Sequence, residues 1–208
     1  TQRIEVEGRF YYVKRYLRAG KNLRRFIGFS RVQREWWNQA WFARNGIPTP
    51  RRIAMGEGNR RSGEYWGVIV SEEVSQTLDL RQVYNSHPEL LANQTWRHEL
   101  IEKLAEVVSN MHKKRFIHND LQWRNVLVSS NGRVDVHLID CPAGRPIYLL
   151  GNRRGIVRDL ALLDKMAKLA LSHTDRLRFY KQYMGIDRLR KRDKREISRV
   201  LSFIKPSK

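Results

Sequence analysis

Eight consecutive residues, His118-Asn119-Asp120-Leu121-Gln122-Trp123-Arg124-Asn125, lie between a helix pattern and a hairpin pattern and constrain the chain more than any other stretch. Before them, Leu100, Ile101, Leu104, Val107, Val108 and Met111 recur at helical spacing, and Lys113-Lys114 suit the negative end of that helix. After them come Val126-Leu127-Val128, a Ser-Ser-Asn-Gly turn, and an alternating strand through Val134, Val136 and Leu138 that leads to Asp140. A polar loop fixed between apolar elements and facing a carboxylate at a strand end is suited to chemistry. Asp120 can accept a proton from a hydroxyl, and Asn125 and Asp140 offer hard oxygen ligands for Mg2+. A hydrolase also uses two carboxylates but does not need an asparagine five residues after Asp120. The plainer alternative is that Asp120 and Asn125 merely cap the loop.

The rest of the chain reads as a small sheet with one helix, then a mostly helical part containing one hairpin. Residues 1–19 are expected to be extended, with Arg9–Tyr16 as a strand and Gly8 making a tight turn before it. Ser30 and Gln33 form a capping box for a helix that Asn45-Gly46 stops and Pro48 and Pro50 keep from resuming. Trp36, Trp37 and Trp41 are expected in the core. Strands are predicted at 52–55 and 65–71 around the turn-rich GEGNRRSG, and helices at 155–172, 175–184 and from there to the C-terminus. This is an α+β arrangement with a cleft between two lobes.

Charge narrows the partners. The chain has 208 residues and a formal net charge of +20. Ten Lys/Arg against three acids fall in residues 1–35, and nine against three in 186–208. The expected partner is anionic: phosphate, nucleic acid, an acidic lipid surface or a phosphorylated glycan. The basic C-terminal run also reads simply as a solvated helix face. No apolar run approaches the ~18 residues of a membrane span, so no bilayer crossing is expected. One cysteine, Cys141, excludes an internal disulfide and fits a reducing compartment. No signal-peptide pattern opens the chain, and a first residue of Thr leaves room for residues upstream.

The string HNDLQWRN resembles the protein-kinase catalytic loop H-R-D-L-x-x-x-x-N, and Leu138-Ile139-Asp140 resembles the metal-binding Asp that follows it. Tyr12-Val13-Lys14 resembles the strand ending in the phosphate-contacting Lys, and Glu35 its ion-pair partner. More narrowly, SRVQREWWNQAWFARNGIPTPRR, VIVSEEVSQTLDL, FIHNDLQWRNVLV, HLIDCPAGR and RDLALLDKMAKL together resemble the bacterial lipopolysaccharide kinase family, which phosphorylates Kdo or heptose of the inner core. The resemblance implies a two-lobed protein-kinase-like fold, with 1–71 as the N-lobe, 72–76 as the hinge and 77–208 as the C-lobe. It implies ATP under the hinge at Glu72, Glu73 and Val74, Lys14 held by Glu35 on the phosphates, and Mg2+ on Asn125 and Asp140. Asp120 would be the catalytic base, with His118 as a packed loop residue and Asp159 as an anchor for the loop backbone. The acceptor would be a core glycolipid at the cytoplasmic face of the inner membrane of a Gram-negative bacterium. The anionic membrane surface is a second expected partner, and nucleic acid is not expected.

The departures are informative. No Gly-rich loop precedes Lys14, so that loop either lies upstream of Thr1 or is missing; Gly56, Gly58 and Gly63 are expected in a hairpin instead. Asn119 stands where protein kinases carry the Arg that reads a phosphorylated activation loop. Cys141-Pro142 replaces Phe-Gly, and only about nineteen residues separate Asp140 from Asp159, with no A-P-E between them. That leaves little room to dock a peptide, which favours a small or glycolipid acceptor over a protein. A pseudokinase accounts for a missing Gly-rich loop but not for the intact Lys, Asp, Asn, Asp set. A nucleic-acid binder accounts for the charge but not for that set. Asp159 also reads as an ordinary helix-start acid, Lys14 as a surface cation like Arg15, and Cys141 as a small buried residue.

Overall fold

The computed structural model describes residues 1–17, 28–59, 64–147 and 153–204. The expected extension of the first strand through residues 18 and 19, and Gly63 of the glycine-rich turn, lie outside the described residues.

Strands β1 (Gln2–Val6) and β2 (Arg9–Tyr16) form a hairpin through Glu7 and Gly8, whose φ angles are 50° and 73°. Positive φ at both central residues is what a tight hairpin turn needs, and only Gly8 adopts it without strain. Helix α1 (Arg31–Arg44) starts on the Ser30–Gln33 capping box and ends at Asn45. Strands β3 (Arg52–Asn59) and β4 (Tyr65–Glu72) complete an antiparallel sheet of order β1-β2-β4-β3. β3 runs on through Gly56 and Gly58, which the sequence pattern placed in the turn. Both glycines lie against the Trp66 ring on β4, where a Cβ would come within 3.4 and 3.2 Å of it. Their bare backbones make room for that indole, so the strand continues.

Gly67 on β4 is tighter still. A Cβ there would stand 2.5 Å from Val32 Cγ2 and 2.7 Å from the Tyr65 hydroxyl, so α1 sits directly on the glycine backbone. Gly67→Ala is expected to cost about 1–3 kcal/mol in denaturant unfolding, the usual range for overpacking.

The chain leaves β4 at Glu72 and enters β5 (Thr77–Asp79), then α2 (Leu80–Ser86), α3 (Pro88–Ala92) and α4 (Gln94–Lys113). β6 (Phe116–Ile117) precedes the polar loop, β7 (Val126–Ser129) and β8 (Val136–Leu138) form the expected hairpin, and β5 adds to its outer edge. β9 (Arg145–Pro146) pairs back onto β6. Helices α5 (Arg153–Ala170), α6 (His173–Met184) and α7 (Lys191–Phe203) follow, with Gly185 capping α6 at φ 65°.

Two buried clusters result. A small one joins Tyr16, Val32 and Ile69 between sheet and helix. A large one centres on α4 and includes Phe42 and Ile47 from the end of α1, which ties the two parts together. Trp41 stacks on Phe116 at 4.5 Å, and Trp36 lies under the Arg52 guanidinium at 4.3 Å. Trp37 departs from expectation: it is 52% exposed, and Trp36 and Trp41 are only partly buried, because Val32, Glu35, Asn38, Gln39, Ala40 and Phe42 take the buried side of α1. Among the described residues no helix is long and apolar enough to cross a membrane.

Candidate active site

Lys14, on β2, joins the two halves of the molecule. Its Nζ lies 2.9 and 3.1 Å from the Glu35 carboxylate oxygens and also donates to Asp140 Oδ1, 126 residues away. Glu35 is 1% exposed on the inner face of α1 and accepts a further hydrogen bond from the Tyr16 hydroxyl. Burial raises the Glu35 carboxyl above the ordinary range, and the Lys14 ammonium opposes that rise. The Tyr16 phenol is pushed up as well, by its own burial and by the neighbouring carboxylate. Tyr16 was not among the residues singled out from sequence; a tyrosine two residues after Lys14 shares its strand face, and that spacing was the available signal.

The polar loop is cross-braced by hydrogen bonds among its own side chains and to α5. Asp120 Oδ1 accepts from Gln122 Nε2 at 2.6 Å, and Oδ2 accepts from Asn125 Nδ2 at 3.1 Å and from Arg124 at 3.3 Å. Asn125 Nδ2 also donates to the Asp120 carbonyl at 2.7 Å, which directs its Oδ1 away from Asp120. Gln122 and Arg124 are contributors the sequence reading passed over. Beneath them, the Asp159 carboxylate accepts from the backbone N–H of His118 at 2.7 Å and of Asn119 at 2.8 Å. His112 on α4 places Nε2 3.3 Å from the same carboxylate and Nδ1 2.8 Å from the Tyr183 hydroxyl. Asp159 is the seventh residue of α5 and fully buried, not at a helix start as expected. A carboxylate there is held by donors rather than by a helix terminus.

His118 is fully buried, and burial lowers its pKa, so the ring is neutral and its Nε2–H donates to the Ile139 carbonyl at 3.0 Å. That bond ties the loop to the strand end just before Asp140. Asn119 and Asp140 both have left-handed backbones, at φ 63° and 57°. Such conformations cost energy for residues other than glycine and cluster at functional sites. The Cys141 thiol is buried and raised by desolvation, so it is a packed residue and not a reactive one.

At the connection between the halves, Glu72 N–H donates to the Arg51 carbonyl and Glu73 N–H to the Phe10 carbonyl, each at 2.9 Å. The Glu73 side chain turns to the sheet and pairs with Arg3 at 2.9 Å. Both N–H groups and the Glu73 carboxylate therefore face the sheet rather than an open pocket.

Among the described residues no group of three or more His, Cys, Asp or Glu could hold a metal ion. Asn125 Oδ1 and the Asp140 carboxylate nonetheless suit Mg2+, which takes one or two protein oxygens and completes its shell with phosphates and water. Apart from this polar cleft, an apolar cavity of about 210 Å3 lies among α4, α5, α6 and α7, walled in part by Trp123.

The model of the lipopolysaccharide kinase (Kdo/WaaP) family matches residues 1–183. The lipopolysaccharide core heptose(I) kinase WaaP of Pseudomonas aeruginosa is 27% identical over 200 residues, covering 88% of this chain and 72% of that protein. A solved structure of WaaP in complex with acyl carrier protein superposes with a TM-score of 0.69 at 25% identity, over 97% of this chain and 80% of the other. The chain thus has a kinase-like fold and the equipment of an ATP-using phosphotransferase, and it belongs to the lipopolysaccharide kinase (Kdo/WaaP) family.

Proposed function

We propose that this protein transfers the γ-phosphate of ATP to a sugar hydroxyl of the lipopolysaccharide inner core, with heptose the first candidate and Kdo the second. The observation that carries the reading is the convergence on Lys14 of Glu35 from one half and Asp140 from the other. Residues 1–71 act as the small lobe, 72–76 as the hinge and 77–208 as the large lobe. With the N–H groups of Glu72 and Glu73 committed to the sheet, Val74 is the one of those three hinge residues left to donate to adenine. Lys14 exchanges Asp140 for the α- and β-phosphates while Glu35 keeps its ammonium in place. Asn125 and Asp140 would hold Mg2+, which supplies positive charge against the phosphate oxygens. Asp120, oriented by Gln122 and Asn125, takes the proton from the acceptor oxygen. Catalysis comes from positioning and charge complementarity.

The acceptor assignment is tested by following labelled phosphate from ATP to dephosphorylated core glycolipid, nucleic acid and casein. Transfer to the glycolipid alone is expected; transfer to casein with none to glycolipid would favour a protein kinase. Calorimetry tests the metal pair: ATP is expected to bind more tightly with Mg2+ in the wild type, and Asp140→Ala to lose that difference. Equal affinity in all four combinations would contradict the metal assignment.

We place the protein at the cytoplasmic face of the inner membrane. Arg188, Arg190, Lys191, Arg192, Lys194 and Arg195 are all exposed, at and just before α7. Neutralising them is expected to weaken binding to anionic vesicles, with the difference fading at high salt. Unchanged binding would reduce the run to a solvated helix face. The solved complex of WaaP also motivates acyl carrier protein as a partner of this chain, testable by co-elution of the purified pair.

A further inference from the structure

We infer that Asn38 and Asn119 are positioning residues whose side-chain amides fasten the segment after Asp140 in its working place, so that the site stands assembled without a phosphorylated switch. Asn38 lies on α1 three residues after Glu35 and therefore on the same helix face. It is 8% exposed, and its Nδ2 donates to the Cys141 carbonyl at 2.7 Å and to the Gly144 carbonyl at 2.9 Å. The carbonyl of Ala143 accepts from Asn119 Nδ2 at 2.9 Å. Two amides thus hold three of the four carbonyls that follow Asp140. Gly144 is needed for the fit, since a Cβ there would stand 2.8 Å from the Phe116 ring. Just beyond, Ile117 pairs with Arg145 and Phe116 with Pro146, which closes the segment onto β6.

The consequence is mechanical. The helix that carries Glu35 and the turn that carries Asp140 form one unit, joined by two buried hydrogen bonds from one side chain. α1 cannot swing away from Lys14 without stripping Asn38 from the Gly144 carbonyl and leaving the Cys141 carbonyl with only its turn bond from Gly144 N–H, at a cost of the usual order for buried polar groups. The position that would read a phosphate is filled by the neutral amide of Asn119, already engaged. The stretch between Asp140 and Asp159 also contains no Ser or Thr, and Tyr148 is its one hydroxyl residue. A fixed pair of amides takes the place of a charge that has to be added.

Two experiments on the full chain test this, and only the kinetic one rests on the proposed kinase reaction. In hydrogen exchange, the amides of α1 are expected to exchange faster in Asn38→Ala than in wild type, whatever the protein's activity. Unchanged exchange would overturn the fastening. In steady-state kinetics, Asn38→Asp, which sets a carboxylate against two carbonyl oxygens, is expected to lower kcat by roughly 10–100-fold and to raise KM for ATP, the scale seen when a supporting shell is lost. Asn119→Ala, at a less buried site, serves if Asn38→Asp does not fold, and is expected to lower kcat in the same direction. Phosphatase-treated wild type should keep full turnover. Wild-type kinetics retained in both variants, or activity lost to phosphatase, would overturn the proposal. A wild type with no turnover at all would instead count against the kinase reading, and the exchange result would still decide the role of Asn38.

Discussion

Asp120→Asn is expected to leave nucleotide affinity nearly unchanged while cutting phosphate transfer by roughly 10²–10⁴-fold, the range for losing a general base. The amide keeps the size of the carboxylate and one oxygen for Gln122 or Asn125 to donate to, but it cannot take the acceptor proton. The hydrogen bonds of the Asp120 side chain do not reach Lys14, Glu35 or Asp140, and Asn125 keeps its bond to the Asp120 backbone carbonyl in the variant, which is why ATP binding should survive. Paired binding and turnover measurements separate a catalyst from a scaffold. A variant that transfers phosphate at the wild-type rate would remove Asp120 from the reaction and return the scaffold reading.

Lys14→Ala has a different signature, because it acts on the nucleotide and on the fold together. Turnover of ATP should fall with every acceptor, since no cation then grips the phosphates. Stability should fall too, because Glu35 would keep its buried place near Asp140 with only the Tyr16 hydroxyl donating to it. Breaking a buried pair typically costs ~3–5 kcal/mol; with Lys14 22% exposed, about 1–3 kcal/mol is expected at neutral pH. The loss depends on pH in a definite sense. Burial already holds the Glu35 carboxyl above its ordinary value, and removing the cation raises it further. A group that binds its proton more tightly when folded contributes stability below its unfolded pKa and loses that contribution as pH rises through its folded pKa. Thermal melts should therefore show Lys14→Ala weakest at neutral pH and closer to wild type in mild acid. Adding Glu35→Gln should restore stability without restoring turnover. A defect that is independent of pH would contradict the assigned burial of Glu35.

Local chemistry made much of the fold legible. The aromatic run Arg9–Tyr16, the Ser30–Gln33 box and the Gly185 cap are signals confined to a few residues, and the elements they mark begin or end where those residues stand. The pairing of β6 with β9 carries no such signal, since two-residue strands have no periodicity to read. The order Lys14, Glu35, Asp120, Asn125, Asp140 is visible in the chain, but their distances are not. Lys14 reaches Asp140 because the hairpin returns strand β8 to the sheet side of the cleft, a tertiary fact. Asn38 was missed for the same reason: its partners lie 103 and 106 residues away, and an asparagine in mid-helix looks like a solvated position. His112 and Tyr183 support Asp159 from two different helices, and no spacing rule connects them.

The central claim is that the phosphate ends on a core sugar. The direct measurement is tandem mass spectrometry of dephosphorylated inner-core oligosaccharide after incubation with the wild-type protein, ATP and Mg2+, beside Asp120→Asn. One added phosphate on a heptose or Kdo residue, formed by the wild type and scarcely by the variant, is the predicted result. ATP consumed with the oligosaccharide unmodified, or phosphate appearing equally with both proteins, would contradict it.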